Sequence, residues 1–343
     1  PPSTDAFSQA GESGTLAPSS FAPAFFGDLL GVNSVRFVPN PQIGDFPPGG
    51  TLVSTPSAAR AGGWKIADGE SPVPTDRIYY NFNWYSDVRH SLNSQTMAEP
   101  TAASAFNVFR HILGLEKTLF NERMSVGLRL PFVDVEGPPK LTVGTQFFQT
   151  QISPLLSDRE FADMSIIWKL AVVKEPTRVV STGMVITVPT GQGFVLDLPN
   201  VRGQIDGLNQ TRLQDVLLQP YVGFWRRFTE RAYFHSFNSI AIPTDSRDVV
   251  FMFNDIGFGY WLYRNPNDRF VQGVVPTIEL HLDTPLTDRG AQTIPIGVSD
   301  QLNLTLGGYA VLPRSLLGWA VAVPLLGPRS YGVEMLANYT LRF

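Results

Sequence analysis

The sequence has no cysteine and few charged residues. Without cysteine, its 343 residues contain no disulfide, no thiolate metal site and no cysteine nucleophile. Charged residues are 16% of the chain, against roughly 25% in soluble domains, whereas aromatic residues reach 12%. A chain of this composition needs either a large core or a surface that does not face water. Its net charge of -4 shows no basic excess, so no nucleic-acid partner is indicated.

Long apolar runs and sustained helical spacing are also missing. No run of about 18 apolar residues is present, so a transmembrane helix is not supported. Apolar residues instead alternate with other residues, as from Met164 to Val173. Because side chains on a strand point to opposite faces in turn, this alternation predicts β-strands. Twelve candidate strands lie near residues 77–88, 105–119, 124–133, 162–173, 179–189, 215–227, 232–243, 249–263, 270–283, 300–312, 318–325 and 331–343. The second and seventh are the least regular.

The lengths of the strands and of their connections indicate a membrane barrel. Most candidate strands run ten or more residues, and a transmembrane strand needs roughly 9–11. The connections after even-numbered strands are short, and those after odd-numbered strands are mostly long, as at 89–104 and 134–161. A barrel with tight turns on one rim and long loops on the other produces this pattern. We predict an all-β fold, a closed antiparallel up-and-down transmembrane β-barrel of about 12 strands over residues 65–343. A soluble barrel or sandwich, with the apolar face packed inside, is the alternative.

Each face of the predicted strands has its own chemistry. In a membrane barrel the apolar face contacts lipid, with aromatic residues near its ends, and the polar face lines the lumen. The predicted lipid-facing aromatic residues are Trp84, Phe132, Trp168, Tyr260, Tyr331 and Tyr339. The predicted lumen-lining residues are Arg77, Asn81, Arg129, Lys169, Glu279, His281, Asp283, Gln301, Asn303, Glu334, Asn338 and Arg342.

The last candidate strand resembles the terminal strand of bacterial outer-membrane barrels. It ends in Phe343, with Tyr339 and Leu341 before it in phase. The resemblance implies that the barrel assembly machinery reads this strand, with Phe343 as the assembly signal. An even number of antiparallel strands keeps both barrel termini on one side of the membrane, and the resemblance implies that this side is the periplasm.

Longer stretches resemble two groups of bacterial envelope proteins. The span from Leu115 to Gln192 resembles transporters of the phenol meta-degradation type, through LEKTLFNERMSVGLRLPF and FADMSIIWKLAVVKEPTRVVSTGMVITVPTG. The stretch GESPVPTDRIYYNFNWYSDV, residues 69–88, is similar to the first barrel strand of planctomycete outer-membrane proteins. The resemblances cover the barrel and not the first 64 residues. They imply a bacterial outer-membrane location, a pore or transport role, and no catalytic residues.

Residues 1–64 differ from the rest of the chain. They are rich in proline, glycine, serine and alanine and show little periodicity, which predicts an extended, weakly ordered arm. Their one apolar island is FAPAFFGDLL, residues 21–30. It supports a second interpretation, in which the arm is a plug that docks on or inside the barrel through Phe21, Phe25 and Phe26.

Histidines offer little catalytic or metal chemistry. His90, His111, His235 and His281 form no close pair and no HExxH motif. Ser236 lies beside His235, but sequence neighbours on opposite strand faces are out of hydrogen-bond reach, so a serine hydrolase site is disfavoured. We predict that the chain is not an enzyme, with no catalytic residue, no bound metal and no cofactor.

Two acidic groups leave alternatives open. Glu279, His281 and Asp283 share one strand face, which suits a metal or proton-relay site. The plainer interpretation is that they line a polar lumen, with cations such as Arg129, Lys169 and Arg342 as partners. Asp197, Asp206 and Asp215 lie in or beside a long loop and are interpreted as solvated, with calcium binding as the alternative.

The predicted function is that of a channel or transporter. Twelve strands enclose more space than eight and less than porins of roughly 16–18 strands, so we expect a narrow, mixed-charge or plugged lumen that passes small solutes. The alternative is a structural barrel whose lumen is plugged and whose loops or N-terminal arm bind envelope partners. Expected partners are outer-membrane lipid, the barrel assembly machinery, and, through the arm, other envelope proteins or further copies of the chain.

Overall fold

The computed structural model describes most of the chain from residue 65 onwards and three short pieces before it. The described residues are 23–27, 34–38, 51–55, 65–88, 106–136, 141–145, 148–152, 157–191, 196–199, 205–208, 216–244, 249–287, 289, 300–327 and 331–343. Within these ranges, no helix is both long and apolar enough to cross a membrane.

The regular structure of the described residues consists of β-strands. The strands, numbered along the chain, are β1 (Ser34–Val38), β2 (Thr51–Thr55), β3 (Arg77–Val88), β4 (Phe106–Leu119), β5 (Met124–Glu136), β6 (Leu141–Thr145), β7 (Phe148–Ile152), β8 (Ser157–Phe161), β9 (Met164–Glu175), β10 (Arg178–Val188), β11 (Leu196–Pro199), β12 (Ile205–Leu208), β13 (Leu217–Arg227), β14 (Ala232–Pro243), β15 (Phe251–Tyr260), β16 (Tyr263–Arg264), β17 (Gly273–Pro285), β18 (Gln301–Val311), β19 (Ser315–Leu326) and β20 (Val333–Arg342).

Twelve of these strands close into one barrel. Their order around the ring is β3, β4, β5, β9, β10, β13, β14, β15, β17, β18, β19 and β20, so each pairs antiparallel with its neighbour along the chain. The ring closes because β20 pairs with β3, in a register that joins Val333 to Ser86 and Arg342 to Arg77. Closure removes both edges of the sheet, so every barrel strand has a partner on each side. The predicted fold, including its strand number and order, is confirmed.

One rim carries short turns, as the spacing predicts. In the connection from β4 to β5, Phe120, Asn121 and Glu122 have φ values of 50°, 55° and 58°. Three successive left-handed residues reverse the chain within four residues, at the cost of backbone strain that non-glycine residues rarely accept. Beside this turn, Asp76 accepts hydrogen bonds from the backbone N–H of Thr118 at 2.6 Å and from Lys117 Nζ at 2.8 Å. These contacts anchor the end of β4 to the residue that precedes β3.

The two strand faces lie on opposite sides of the wall. On β9, Ser165, Ile167 and Lys169 are buried, whereas Ile166 and Trp168 are 39% and 45% exposed. The same alternation recurs on the other barrel strands, with apolar side chains outside and most polar ones inside. A soluble barrel would have the reverse arrangement. The apolar outer surface therefore fits hydrocarbon and not water, and the fold is that of a transmembrane β-barrel.

Candidate functional site

The barrel interior holds most of the buried charge of the described residues. Four cations lie on the adjacent strands β3, β4, β5 and β9, namely Arg77, Arg110, Arg129 and Lys169. Three acidic residues, Asp255, Glu279 and Asp283, lie across the ring on β15 and β17. The separation of sign is incomplete, because Glu116 on β4 and Glu334 on β20 are also buried. The interior nevertheless has one mainly basic side and one mainly acidic side.

Two pieces of chain that precede the first barrel strand lie between these sides. We call residues 23–27 and 65–70 the inner segments. All of their residues are buried, and their contacts are with inward-facing side chains of several barrel strands. The two pieces are joined by a hydrogen bond from the backbone N–H of Phe25 to the carbonyl oxygen of Glu70, 2.8 Å long. Residues 65–70, which the sequence groups with the barrel domain, are thus buried against its inner wall.

The basic side of the interior binds the carboxylate of Glu70. Oε2 lies 2.5 Å from Arg77 Nη2 and 3.0 Å from Lys169 Nζ. Oε1 accepts a hydrogen bond from the Tyr79 hydroxyl at 3.0 Å and lies 3.6 Å from Arg129 Nη2. Four side chains from three barrel strands thus converge on one carboxylate of the inner segments.

Further bonds from the basic side hold the backbone around Glu70. Arg129 donates to the carbonyl oxygens of Lys65 at 2.8 Å and Ile66 at 3.0 Å. Arg110 Nη1 lies 3.4 Å from Asp68 Oδ2. Buried carbonyl groups need hydrogen-bond partners, and here the barrel wall supplies them to the inner segment.

The acidic side binds the inner segments through their donors. Glu279 accepts the backbone N–H groups of Phe26, at 3.0 and 3.1 Å, and of Gly27, at 3.1 Å. The ammonium group of Lys65 forms an ion pair with Asp283. The inner segments therefore present acidic groups to the basic side of the wall and hydrogen-bond donors to its acidic side.

Aromatic contacts complete this fit. The ring of Phe25 stacks on His235, with 3.7 Å between centroids and 11° between planes, and Phe26 stacks on Tyr309 at 4.3 Å and 16°. Close to Phe26 the wall has a glycine, Gly318, where an added Cβ would lie 2.8 Å from the Phe26 ring. The absence of a side chain at that position makes room for the inner segment.

His281 takes part in this arrangement without forming a metal site. Its Nδ1 lies 2.8 Å from Asp255 Oδ1 and its Nε2 lies 3.3 Å from Glu279 Oε2. No group of three or more histidine, cysteine or acidic side chains that could hold a metal ion occurs among the described residues. Arg129, Lys169 and Arg342 were expected as partners of Glu279, His281 and Asp283. Arg129 and Lys169 instead contact Glu70, on the other side of the ring. Glu279 accepts hydrogen bonds from Phe26 and Gly27, and Asp283 pairs with Lys65.

The structure places nearly all residues of the predicted lumen-lining set inside the barrel. Buried members are Arg77, Asn81, Arg129, Lys169, Glu279, His281, Asp283, Gln301, Asn303, Glu334 and Asn338. Arg342 is only partly buried and donates to the carbonyl oxygen of Leu312 at 3.2 Å, beside the turn that joins β18 to β19. Several of these side chains do not face open space but contact the inner segments: Arg77, Arg129, Lys169, Glu279 and Asp283.

The predicted lipid-facing set requires one correction. Phe132, Trp168, Tyr260 and Tyr339 are exposed on the outer wall, and Trp84 is partly exposed. Tyr331 was expected on the same face, but it is only 1% exposed and packs edge-on against Tyr85 at 5.8 Å. The reason is that β20 begins at Val333, so the alternation of the strand does not extend back to Tyr331.

Several interior residues were not predicted from the sequence. Arg110 and Glu116 lie on β4, whose alternation is weak, although their even spacing was a usable signal. Glu116 bonds Arg77 Nε at 2.8 Å and Lys169 Nζ at 2.9 Å, so it belongs to the cluster around Glu70. Lys65 and Glu70 precede the strands, and no periodic pattern marks them.

Comparisons with known proteins return similarities of overall shape only. No family model matches the chain, and no curated protein matches it. Three similar solved structures are an outer-membrane channel from Pseudomonas putida F1, the NanC porin and the β domain of the Bordetella autotransporter BrkA. The resemblance to transporters of the phenol meta-degradation type is not shown by these findings.

The three similarities are weak in sequence but extend over most of each chain. The Pseudomonas channel has a TM-score of 0.49 and 11% identity, covering 79% of this chain and 97% of its own. The NanC porin has a TM-score of 0.44 and 10% identity, covering 77% of this chain and 98% of its own. The autotransporter domain has a TM-score of 0.47 and 10% identity, covering 78% of this chain and 100% of its own. The strand pairing and the apolar outer wall, and not these similarities, define the fold of this chain.

Proposed function

We propose that the chain is a channel for small solutes in a bacterial outer membrane, closed by its own inner segments. A sheet can cross hydrocarbon only as a closed barrel, because every backbone group must be paired. Closed barrels of this type, with short turns on one rim, are the outer-membrane form of transmembrane protein. In this proposal the short turns and both barrel termini face the periplasm.

The observation that carries the channel proposal is the charge on the interior wall. Arg77, Arg129 and Lys169 are directed at Glu70, and Glu279 at the backbone of Phe26. These bonds join the wall to a separate piece of chain by non-covalent contacts. Withdrawal of the inner segments would leave a polar path between the basic and acidic sides, and a polar, charged path is what an ion or solute channel requires.

A second function is favoured by the degree of burial. The described interior side chains that contact the inner segments are almost completely buried, which supports a filled interior. If the inner segments never leave, the protein is a structural barrel whose long loops or N-terminal arm bind envelope partners. The arm beyond residues 23–27, 34–38 and 51–55, which includes the predicted docking residue Phe21, lies outside the described residues.

Single-channel recording in planar bilayers separates the two functions. The full chain is compared with a double variant, Phe26→Ala with Glu279→Gln, which weakens two independent contacts of the inner segments. A matched double variant, Phe270→Ala with Glu175→Gln, changes a phenylalanine and a glutamate on the exposed turns. We expect rare openings for the wild type and the matched control, and frequent stepwise currents for the first variant.

The absence of current from a folded variant would overturn the channel proposal. Folding is checked by the far-ultraviolet circular dichroism of the strands and by resistance of the barrel to protease. A variant that passes both checks and still conducts nothing would support the structural barrel.

A further inference from the structure

The cluster that holds Glu70 has the form of a carboxylate receptor. Each carboxylate oxygen meets two groups of the wall, Oε2 with Arg77 and Lys169 and Oε1 with Tyr79 and Arg129. Arginine presents its N–H groups in a planar fork that matches the two oxygens of a carboxylate. A planar anion with two oxygens can reach both pairs of groups at once, as Glu70 does with Arg77, Lys169 and Tyr79 at 2.5–3.0 Å and Arg129 at 3.6 Å.

The wall side of this cluster carries more positive than negative charge. Arg77, Arg129 and Lys169 supply three cations, and Glu116 supplies one carboxylate, bonded to Arg77 and Lys169. An excess of two positive charges remains before Glu70 enters. Buried charges that lose their partner are strongly destabilising, so the open form needs an anion, or water, at the position that Glu70 leaves.

We infer that Arg77, Tyr79, Arg129 and Lys169 form a binding site for carboxylate-bearing solutes, and that Glu70 occupies this site as an internal substitute in the closed barrel. The inference rests on the proposed channel function, whose solute class it names. A solute carboxylate competes with Glu70 for the same four groups. Because the Phe25 N–H is bonded to the Glu70 carbonyl oxygen, displacement of Glu70 loosens both inner segments.

Competition has a measurable consequence for affinity. A site that its own chain occupies most of the time binds an added ligand more weakly, in proportion to the fraction that is free. Replacing Glu70 by glutamine removes the internal charge and leaves the four wall groups in place. The Glu70→Gln variant is therefore expected to bind a free carboxylate about tenfold or more tightly than the wild type.

Succinate is a suitable probe, and succinamide, which has the same carbon skeleton and no charge, is its control. Binding to the full chain in detergent is measured by isothermal titration calorimetry. We expect succinate to bind the wild type weakly and Glu70→Gln at least about tenfold more tightly, with no heat from succinamide. Lys169→Gln should abolish binding, whereas Arg269→Gln, which removes a cation from an exposed turn, should leave it unchanged.

A measurement on the wild type guards against a variant that fails to fold. Succinate added at constant ionic strength should increase the current through wild-type channels, and succinamide should not. Equal effects of succinate and succinamide, or equal succinate affinity in Lys169→Gln and wild type, would overturn the carboxylate site.

The outcomes for the site and for the channel are separable. If the double variant Phe26→Ala with Glu279→Gln conducts but no form of the chain binds succinate, the channel stands and the carboxylate site is wrong. If Glu70→Gln binds succinate but neither it nor the double variant conducts, the site is confirmed as a binding site and the channel is wrong.

Discussion

Glu279 of β17 accepts the backbone N–H of Phe26 at 3.0 Å, although 253 residues separate them in the sequence. The N–H of Gly27 lies 3.1 Å from the same carboxylate. Both groups are buried, and hydrogen bonds to a charged acceptor are stronger than those between neutral groups. One wall carboxylate therefore fixes the position of a peptide that comes from far upstream in the chain.

Weakening the hydrogen bonds from Phe26 and Gly27 to the Glu279 carboxylate should release the peptide. In Glu279→Gln the acceptor loses its charge, and we expect the closed form to lose about 1–3 kcal/mol. Hydrogen–deuterium exchange followed by mass spectrometry measures the result, because the amides of Phe26 and Gly27 should exchange about 5- to 150-fold faster. Glu175→Gln, at an exposed turn, is the control. Unchanged exchange at Phe26 in the first variant would show that Glu279 does not hold the peptide.

Removal of the Phe26 ring should expose Lys65 to protease. The ring is buried and stacks on Tyr309, and loss of a buried phenylalanine costs about 3–5 kcal/mol. Lys65 is buried and paired with Asp283, so trypsin can cleave after it only when the inner segment leaves. Faster cleavage at Lys65 is expected in Phe26→Ala and not in Phe270→Ala, whose ring is already exposed. Cleavage at the wild-type rate would contradict the role given to the ring.

Buried and exposed lysines should differ sharply in their effect on stability. Lys169 lies between Glu70 and Glu116, and its loss leaves two buried carboxylates short of a partner. We expect Lys169→Met to lower the unfolding free energy by about 3–5 kcal/mol. Lys117 pairs with Asp76 at the barrel rim and is largely exposed, so Lys117→Met should cost less than about 1 kcal/mol. Urea unfolding in lipid vesicles measures both, and equal losses would argue against the interior cluster.

A charged side chain on the outer wall should lower the free energy of unfolding strongly only where the wall faces the hydrocarbon core of the membrane. Trp168 is exposed in the middle of β9, and Trp168→Arg is expected to destabilise the barrel by about 2–4 kcal/mol. Phe270 is exposed on a turn, and Phe270→Arg should cost about 0–1 kcal/mol. The comparison uses the same vesicle assay. Similar values for the two variants would contradict a bilayer around the outer wall.

The predicted role of Phe343 as an assembly signal is testable by deletion. Phe343 follows β20 and is exposed, with contacts to rim residues: its N–H lies 3.4 Å from the Asp76 carbonyl oxygen, and Lys117 Nζ lies 5.1 Å from its ring centroid. Deletion of Phe343 should slow insertion by reconstituted assembly machinery at least severalfold, while refolding from urea into detergent proceeds as in the wild type. Insertion at the wild-type rate would show that Phe343 is not an assembly signal.

Local patterns in the sequence were sufficient for the barrel wall. The two faces of a strand follow from a period of two residues, which is visible within a single segment such as β9. Short turns join strands that are neighbours both along the chain and in space, so their spacing predicts the up-and-down order. Both signals depend on residues close together in the sequence, which is why the strands were predicted to within a few residues at most ends.

The contents of the barrel depended on tertiary structure. Tyr331 points inward because β20 starts only at Val333, a boundary that alternation does not mark. Glu279 and Asp283 bind Phe26, Gly27 and Lys65, which lie more than 200 residues earlier in the chain.

Such pairs arise when the closed ring brings opposite walls within reach of one peptide. No local periodicity encodes which distant groups then meet. The sequence by itself therefore determined a polar interior and an apolar outer wall, whereas only the closed ring decided which wall groups Glu70 and Phe26 contact.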